Sequence, residues 1–388
     1  MIRAICLLAA VFGAAPAWAE AAPHIIEGEF AAKVPTEPET GAWTKATPLT
    51  VTLYRQRTVR LRDKDVNHKL DTELGPRTAA VKVVYSKKQL GVQVSWDDAT
   101  QDQLEHAHFD AFGDAVAIEF PQKYGMGESL PYVGMGDIDH PVVVTIQRAH
   151  KDASHNRQFV AAGFGSLTAI ERDTEMKMTY DAAAKRWHAV FVRPLKDHNL
   201  DLTHGLVPMG LAIWEGGVHE RGGNKALAPW RFIRLGKHKL DPDYLAYVSW
   251  GEDGQPIGDP KKGETIAKTQ CIACHRFADQ QVAPVGIAPG LENIGGYAVA
   301  RYLQESVQEP SKVILRPLNP NRHYDKSGKR DPHGAYPNAV AYTWSVPGAD
   351  GKHMSKMPPF AHLPADDVNN LVAYLKTIKD PLNTKGAQ

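Results

Sequence analysis

Cys271-Ile272-Ala273-Cys274-His275 is a stretch whose residue types and spacing dictate a particular chemistry. Two thiols three residues apart can form thioether bonds to the two vinyl groups of one porphyrin, and the adjoining imidazole then reaches the iron from the proximal side. A zinc site would need two more soft ligands nearby, and no other cysteine is close. A redox dithiol of the thioredoxin kind would sit in a βαβ unit, which the flanking pattern lacks. The third cysteine of the chain, Cys6, lies in an apolar N-terminal stretch. The motif therefore predicts one covalent haem c, attached at Cys271 and Cys274, with His275 as an iron ligand.

A haem held at a short motif needs helices around it, and the pattern beyond residue 258 supplies them. Asp259-Pro260 reads as an N-cap followed by Pro at the first helical position, opening a helix that runs toward Cys271. Residues 297–308 are predicted helical up to Pro310, and residues 365–378 place Val368, Leu371, Val372, Leu375 and Ile378 on one face. Gly263 to His275, Ala288-Pro289-Gly290-Leu291 and Met357-Pro358-Pro359-Phe360 resemble, in this order, the attachment helix, the proximal loop and the distal methionine segment of class I cytochromes c. That resemblance implies Met357 as the sixth ligand, with Met354 as its competitor. A thioether ligand favours ferrous iron and closes the coordination sphere, which suits electron transfer rather than oxygen chemistry. Residues 312–353 exceed what a minimal cytochrome needs and are predicted to be an inserted loop.

The rest of the chain has a different period. Val81, Val83 and Tyr85, then Leu90, Val92, Val94 and Trp96, alternate across a polar Ser86–Gln89 turn. Residues 116–120, 142–146, 206–214 and 230–235 read as further strands, and 176–180 pairs with 187–193 across Asp181–Lys185. Many short strands with turn signals predict an antiparallel β-sandwich over residues 30–236, followed by a linker at 237–258 and a small all-α domain at 259–388. Arg3, the apolar run Ala4–Ala15 and Ala17-Trp18-Ala19 read as a signal peptide over residues 1–19. The run is short for a membrane span, so export to the periplasm without a membrane span is expected. With 45 Lys+Arg against 44 Asp+Glu, no global field attracts nucleic acid.

The β region resembles the haem-binding γ subunits of the ethylbenzene dehydrogenase and dimethylsulfide dehydrogenase type. The resemblance rests on Asp114 to Pro121, Pro131 to Asp137 leading into Pro141-Val142, Trp187 to Arg193, and Ala212 to Gly217 leading to Glu220 to Lys225. It implies a non-covalent haem b with Met135 and Lys225 as axial ligands. His219, in the same loop as Lys225, is the alternative second ligand. An amine must be neutral to bind iron, so Lys225 would need a lowered pKa. Where some members carry Trp and Lys, this chain has Gln147-Arg148-Ala149, which leaves the porphyrin edge contacts open. The resemblance further implies partners: the iron–sulfur subunit of a molybdenum oxidoreductase of the dimethyl sulfoxide reductase group, and a downstream electron carrier.

Glu105-His106-Ala107-His108-Phe109-Asp110 contains His-x-His but reads as a solvated loop. Neither a nucleophile elbow nor a phosphate-binding glycine loop is present. The expectation is a dihaem electron-transfer protein and not an enzyme by itself. Its rivals are a ligand- or carbohydrate-binding sandwich fused to a monohaem cytochrome c, and a dihaem peroxidase, which would need a second Cys-x-x-Cys-His.

Overall fold

The computed structural model describes residues 24–58, 74–106, 110–124, 130–131, 134–137, 139–152, 155–163, 167–239, 257–277, 288–314, 344–350 and 352–381. The expected signal peptide, most of the expected linker and residues 315–343 of the expected insertion lie outside them.

Strands β1 (Ile25–Phe30), β2 (Leu49–Arg55), β3 (Arg77–Tyr85), β4 (Gln89–Asp97), β5 (Ala115–Pro121) and β6 (Val142–Arg148) form the first part of the chain. They are followed by β7 (Arg157–Ala161), β8 (Thr168–Ala169), β9 (Glu175–Asp181), β10 (Arg186–Pro194), β11 (Leu206–Trp214) and β12 (Ala226–Leu235). One layer runs β8-β7-β6-β5-β11-β12 and the other β3-β4-β10-β9. Strand β1 joins them by pairing with β12 and β3, and β2 pairs with the same two. The sandwich agrees with the alternating pattern, with one correction to its all-antiparallel character: β1 is parallel to both neighbours. Connections of this kind need long excursions of chain, and the strand sits far from both partners in sequence.

The turns carry their own explanation. Ser86 Oγ accepts from the amides of Lys88 and Gln89, and Asp181 Oδ1 accepts from those of Ala183 and Ala184, so each side chain closes its hairpin. In β5, Val116, Ile118 and Phe120 point into the core between the layers, with Trp96, Trp187, Phe191 and Ile213. Ala115 and Ala117 point to the other face, which is also buried. A strand covered on both sides reads as a continuous apolar run, as Ala115–Phe120 nearly does.

The C-terminal domain packs against this layer at β12 and β2, through its residues Ile294–Tyr297, and shares its core. Helix α1 (Pro260–Gln270) begins at Asp259, whose carboxylate accepts from the amides of Lys261 and Lys262. Helices α2 (Ile294–Tyr297), α3 (Ala300–Gln308) and α4 (Ala365–Thr377) follow, with a short hairpin of β13 (Ser345–Pro347) and β14 (His353–Ser355) before α4. The helix expected at 297–308 begins at Ala300 instead, because Ala298 and Val299 adopt extended backbone and Tyr297 closes the preceding turn α2. The expected insertion ends in the β13–β14 hairpin rather than in loop alone. Gly263 lets α1 approach α4, because a Cβ there would collide with the carbonyl of Asn370. One apolar core then runs through both domains, from Ala117, Ala212, Trp230 and Tyr54 to Leu303, Leu371 and Leu375. Among the described residues no helix is long and apolar enough to cross a membrane.

Candidate haem sites

Helix α1 hands its last turn to the haem motif. The amide of Cys271 donates to Ala267 O, and those of Cys274 and His275 donate to Cys271 O, so a tight turn presents both thiols and the imidazole together. Cys271 is half-buried against the shared core and Cys274 is exposed. Burial first, and then the neighbouring Cys274, push the Cys271 thiol up to about 11. The His275 ring is buried, and burial lowers its pKa, so the imidazole is neutral. Its Nδ1 lies 2.8 Å from Pro289 O and donates to it. That bond fixes the tautomer, leaving Nε2 as the lone-pair nitrogen available to a metal. The donor set and its tautomer fit a covalent haem.

The two methionines weighed as sixth ligand occupy different surroundings. Met357 is half-buried and packs on the shared core, and its amide is held by Ser355 Oγ at 3.1 Å. Met354 sits in β14, half exposed to solvent. Phe360, following Met357, is pinned by its amide to Val307 O at 3.0 Å, so α3 sets the path of the Met-Pro-Pro-Phe segment.

The outer face of the β5–β11 layer, part of the core shared with the helical domain, has an unusual floor. Along β5, β11 and β7 it carries Ala115, Ala117, Ala212, Ala161 and Gly210. A Cβ on Gly210 would meet the Glu119 side chain at 2.6 Å. Side chains of one carbon or none leave such a surface flat. Met135 packs against this face, and its backbone has φ 140, a conformation rarely adopted by a residue with a side chain. The bond from Gly163 N to Met135 O, 2.9 Å, helps hold it there. Lys225 is buried immediately before β12, with Nζ 5.1 Å from the centroid of the Trp214 ring. Burial lowers the Lys225 pKa, with Glu119 opposing, and burial raises Glu119 to about 8. Both groups are thereby pushed toward their neutral forms, the form in which an amine offers a lone pair. Glu119 Oε1 has no hydrogen-bond partner. A floor with small side chains, a buried amine pushed toward its neutral form and a methionine on unusual backbone fit a planar iron cofactor.

His219, the alternative ligand, packs edge-to-face with Phe112, ring centroids 6.2 Å apart. Of the Glu105–Asp110 loop, Glu105, His106 and Asp110 are exposed, and residues 107–109 are outside the described residues. Two features gave no signal in the sequence. Asp98, Asp114 and Glu215 bring carboxylate oxygens within 4.8 Å of one another from three separate segments. Asp114 accepts from Trp187 Nε1, Gly216 N and Asp102 N, so it ties both layers to the 215–217 turn. The second is the set of bonds at the domain junction, where Asn293, Arg55, Arg57 and Asp380 meet.

The cytochrome c family profile matches residues 260–379. The chain is also similar to several subunits of known oxidoreductases. It is 26% identical to a Haloferax mediterranei protein provisionally named respiratory nitrate reductase heme subunit ORF7, over 65% of this chain and 88% of that one. It is 24% identical to dimethylsulfide dehydrogenase subunit gamma of Rhodovulum sulfidophilum, over 52% and 76%. It is 28% identical to chlorate reductase subunit gamma of Ideonella dechloratans, over 40% and 64%. A family 9 carbohydrate-binding module from Caldicellulosiruptor kristjanssonii superposes with a TM-score of 0.30 and 10% identity, over 56% of this chain and 98% of that one, too loosely to bear on function.

Proposed function

We propose that this chain, whose residues 260–379 are a cytochrome c domain and whose body is distantly homologous to gamma and heme subunits of oxidoreductases, is an exported dihaem electron-transfer subunit. It would carry haem c at Cys271, Cys274 and His275, with Met357 on the distal side. A second, non-covalent haem b would lie on the sandwich face between Met135 and Lys225. In this reading the partners are the iron–sulfur subunit of a periplasmic molybdenum oxidoreductase of the dimethyl sulfoxide reductase group and a soluble electron acceptor or donor.

The observation that carries the reading is the buried Lys225. A lysine amine buried to this degree, above an aromatic ring and opposite a carboxyl that burial also neutralises, is expensive to maintain without a task. Iron ligation would be such a task. The half-burial of Met357, set against the exposure of Met354, supports Met357 as the distal ligand of haem c.

When bound, each haem supplies a one-electron iron couple. The residues of this chain do the rest. Pro289 O orients His275, Ser355 and Val307 hold the Met357 segment, and the shared core excludes water between the two sites. A dry, low-dielectric surround raises the potential of thioether-ligated iron. The test is extraction of haem from the purified holoprotein with acidified acetone. One extractable and one retained haem per chain supports this reading, whereas a single retained haem leaves a cytochrome c fused to a binding module.

A further inference from the structure

The junction between the domains contains one peptide group bonded on both sides. Asn293 sits in the left-handed region, φ 63, a conformation asparagine tolerates better than most residues, and it is buried. Its Nδ2 donates across the junction to Arg55 O at 3.2 Å. The same peptide unit continues as Gln56 N–H, which donates to Lys225 O at 2.9 Å. The Gln56 side chain also donates to Gly223 O, fastening the loop that carries Lys225. On the other side, Asn293 ends the segment that begins at Pro289, whose carbonyl holds His275 at 2.8 Å. Asn293 is itself clamped: Nδ2 also reaches Asp380 Oδ2 at 2.7 Å, and Asp380 N donates to Asn293 Oδ1 at 2.6 Å. Arg57 pairs with the same Asp380 oxygen at 3.0 Å.

We propose that the Arg55–Gln56 peptide group, gripped by the Asn293 amide and the Lys225 carbonyl, is the link that fixes the two iron sites relative to each other and so sets the rate of electron exchange between them. The inference rests on the dihaem reading above. Three hydrogen bonds and continuous backbone connect the imidazole of His275 to the residue bearing the second candidate ligand, with no through-space gap. Hydrogen bonds in series polarise one another in a low-dielectric interior, so the chain is stiff as well as continuous. The step is a bare exchange: one iron gives up an electron as the other accepts it, and no proton or co-reactant is consumed. Asn293 is a positioning residue here, since it touches neither iron. The cytochrome c domain is in consequence a fixed second station and not a tethered shuttle.

The test uses the full-length holoprotein and the variant Asn293→Gly, which keeps the left-handed backbone accessible and removes only the side-chain amide. Arg57→Ala is the comparison, because it loosens the Asp380 contact without touching the Asn293–Arg55 bond. Two readouts are taken. Electron equilibration between the haems after photoreduction of one is expected to slow several-fold in Asn293→Gly, with haem content and both potentials unchanged, and to hold in Arg57→Ala. Hydrogen exchange at the Gln56 amide is expected to speed up in Asn293→Gly and not in the amides of β3 and β4. An unchanged equilibration rate with both haems present, or equal slowing in both variants, would overturn this positioning role. Absence of any extractable haem in the unaltered protein is a different failure, that of the dihaem reading, and the Gln56 exchange result would then still decide whether Asn293 fixes the Lys225 loop.

Discussion

Lys225→Met separates a ligand from a buried bystander by the sign of its effect. Methionine keeps the unbranched stem and nearly the volume, so packing against Trp214 is preserved. In haem-free protein the change removes a buried amine whose opposing partner is the Glu119 carboxyl, itself pushed toward its neutral form by burial. Relief of that desolvation is worth about 1 kcal/mol, the low end for a buried polar group. The cation–π contact gives little back, because burial pushes the amine toward neutrality. A bystander lysine therefore predicts a variant about 1 kcal/mol more stable. A ligand predicts the opposite in the presence of haem. Cofactor at a hundredfold excess over its dissociation constant contributes about 2.7 kcal/mol to the native state, and losing it outweighs the gain by about 1.7 kcal/mol. For a domain of this size that lowers the melting temperature by roughly 3–7 °C. The assay is a pair of thermal melts, with and without added haemin, alongside the absorption spectrum. A variant that melts higher than the unaltered protein with haemin present, and keeps an unchanged spectrum, would refute the argument.

Met357→Ala should abolish the near-infrared charge-transfer band of thioether-ligated ferric haem and lower the haem c potential, whereas Met354→Ala should leave both in place; reversal of the two results would move the distal ligand into β14. Asp259→Ala should destabilise the helical domain by about 1 kcal/mol in denaturant titration, the usual cost of losing an N-cap carboxylate. Burial holds Asp114 up at about 8 and Glu215 at about 7, so the folded state binds more protons than the unfolded chain between about pH 4 and 8. Stability from these groups is then greatest on the acid side and declines as pH rises through that window. Glu215→Gln should flatten the decline, measured as the urea midpoint against pH; an unaltered slope would exclude Glu215 as a contributor.

Local chemistry made much of this molecule legible in its sequence. The Asp259-Pro260 helix start and the two hairpins at Ser86–Gln89 and Asp181–Lys185 are each decided by side chains that bond their own neighbours, and the Cys-x-x-Cys-His stretch by residue types at fixed spacing on a backbone-bonded turn. Long-range relations were not legible. The parallel pairing of β1 joins Ile26 to Ile233, more than two hundred positions away, and no local pattern encodes that partner. The Ala115/Ala117 face read as one side of a strand, but its being a floor of small side chains in a core shared with another domain depends on Ala212 and Ala161 arriving beside it. The Asp98–Asp114–Glu215 cluster and the Asn293 junction share this property, for each is assembled from segments without common spacing. The late start of the helix expected at 297–308, after Ala298-Val299, is subtler. Both residues are extended and buried in the core shared with the sandwich, a tertiary placement that local propensity does not encode.

Haem stoichiometry tests the central claim most directly. The full-length, exported protein, produced with an ample haem supply, is to be measured for iron and haem per chain before and after acid–acetone extraction. The account predicts two haems per chain, one released and one retained on the chain through Cys271 and Cys274. One haem, wholly retained, would contradict it and reduce Met135 and Lys225 to packing residues of a monohaem cytochrome.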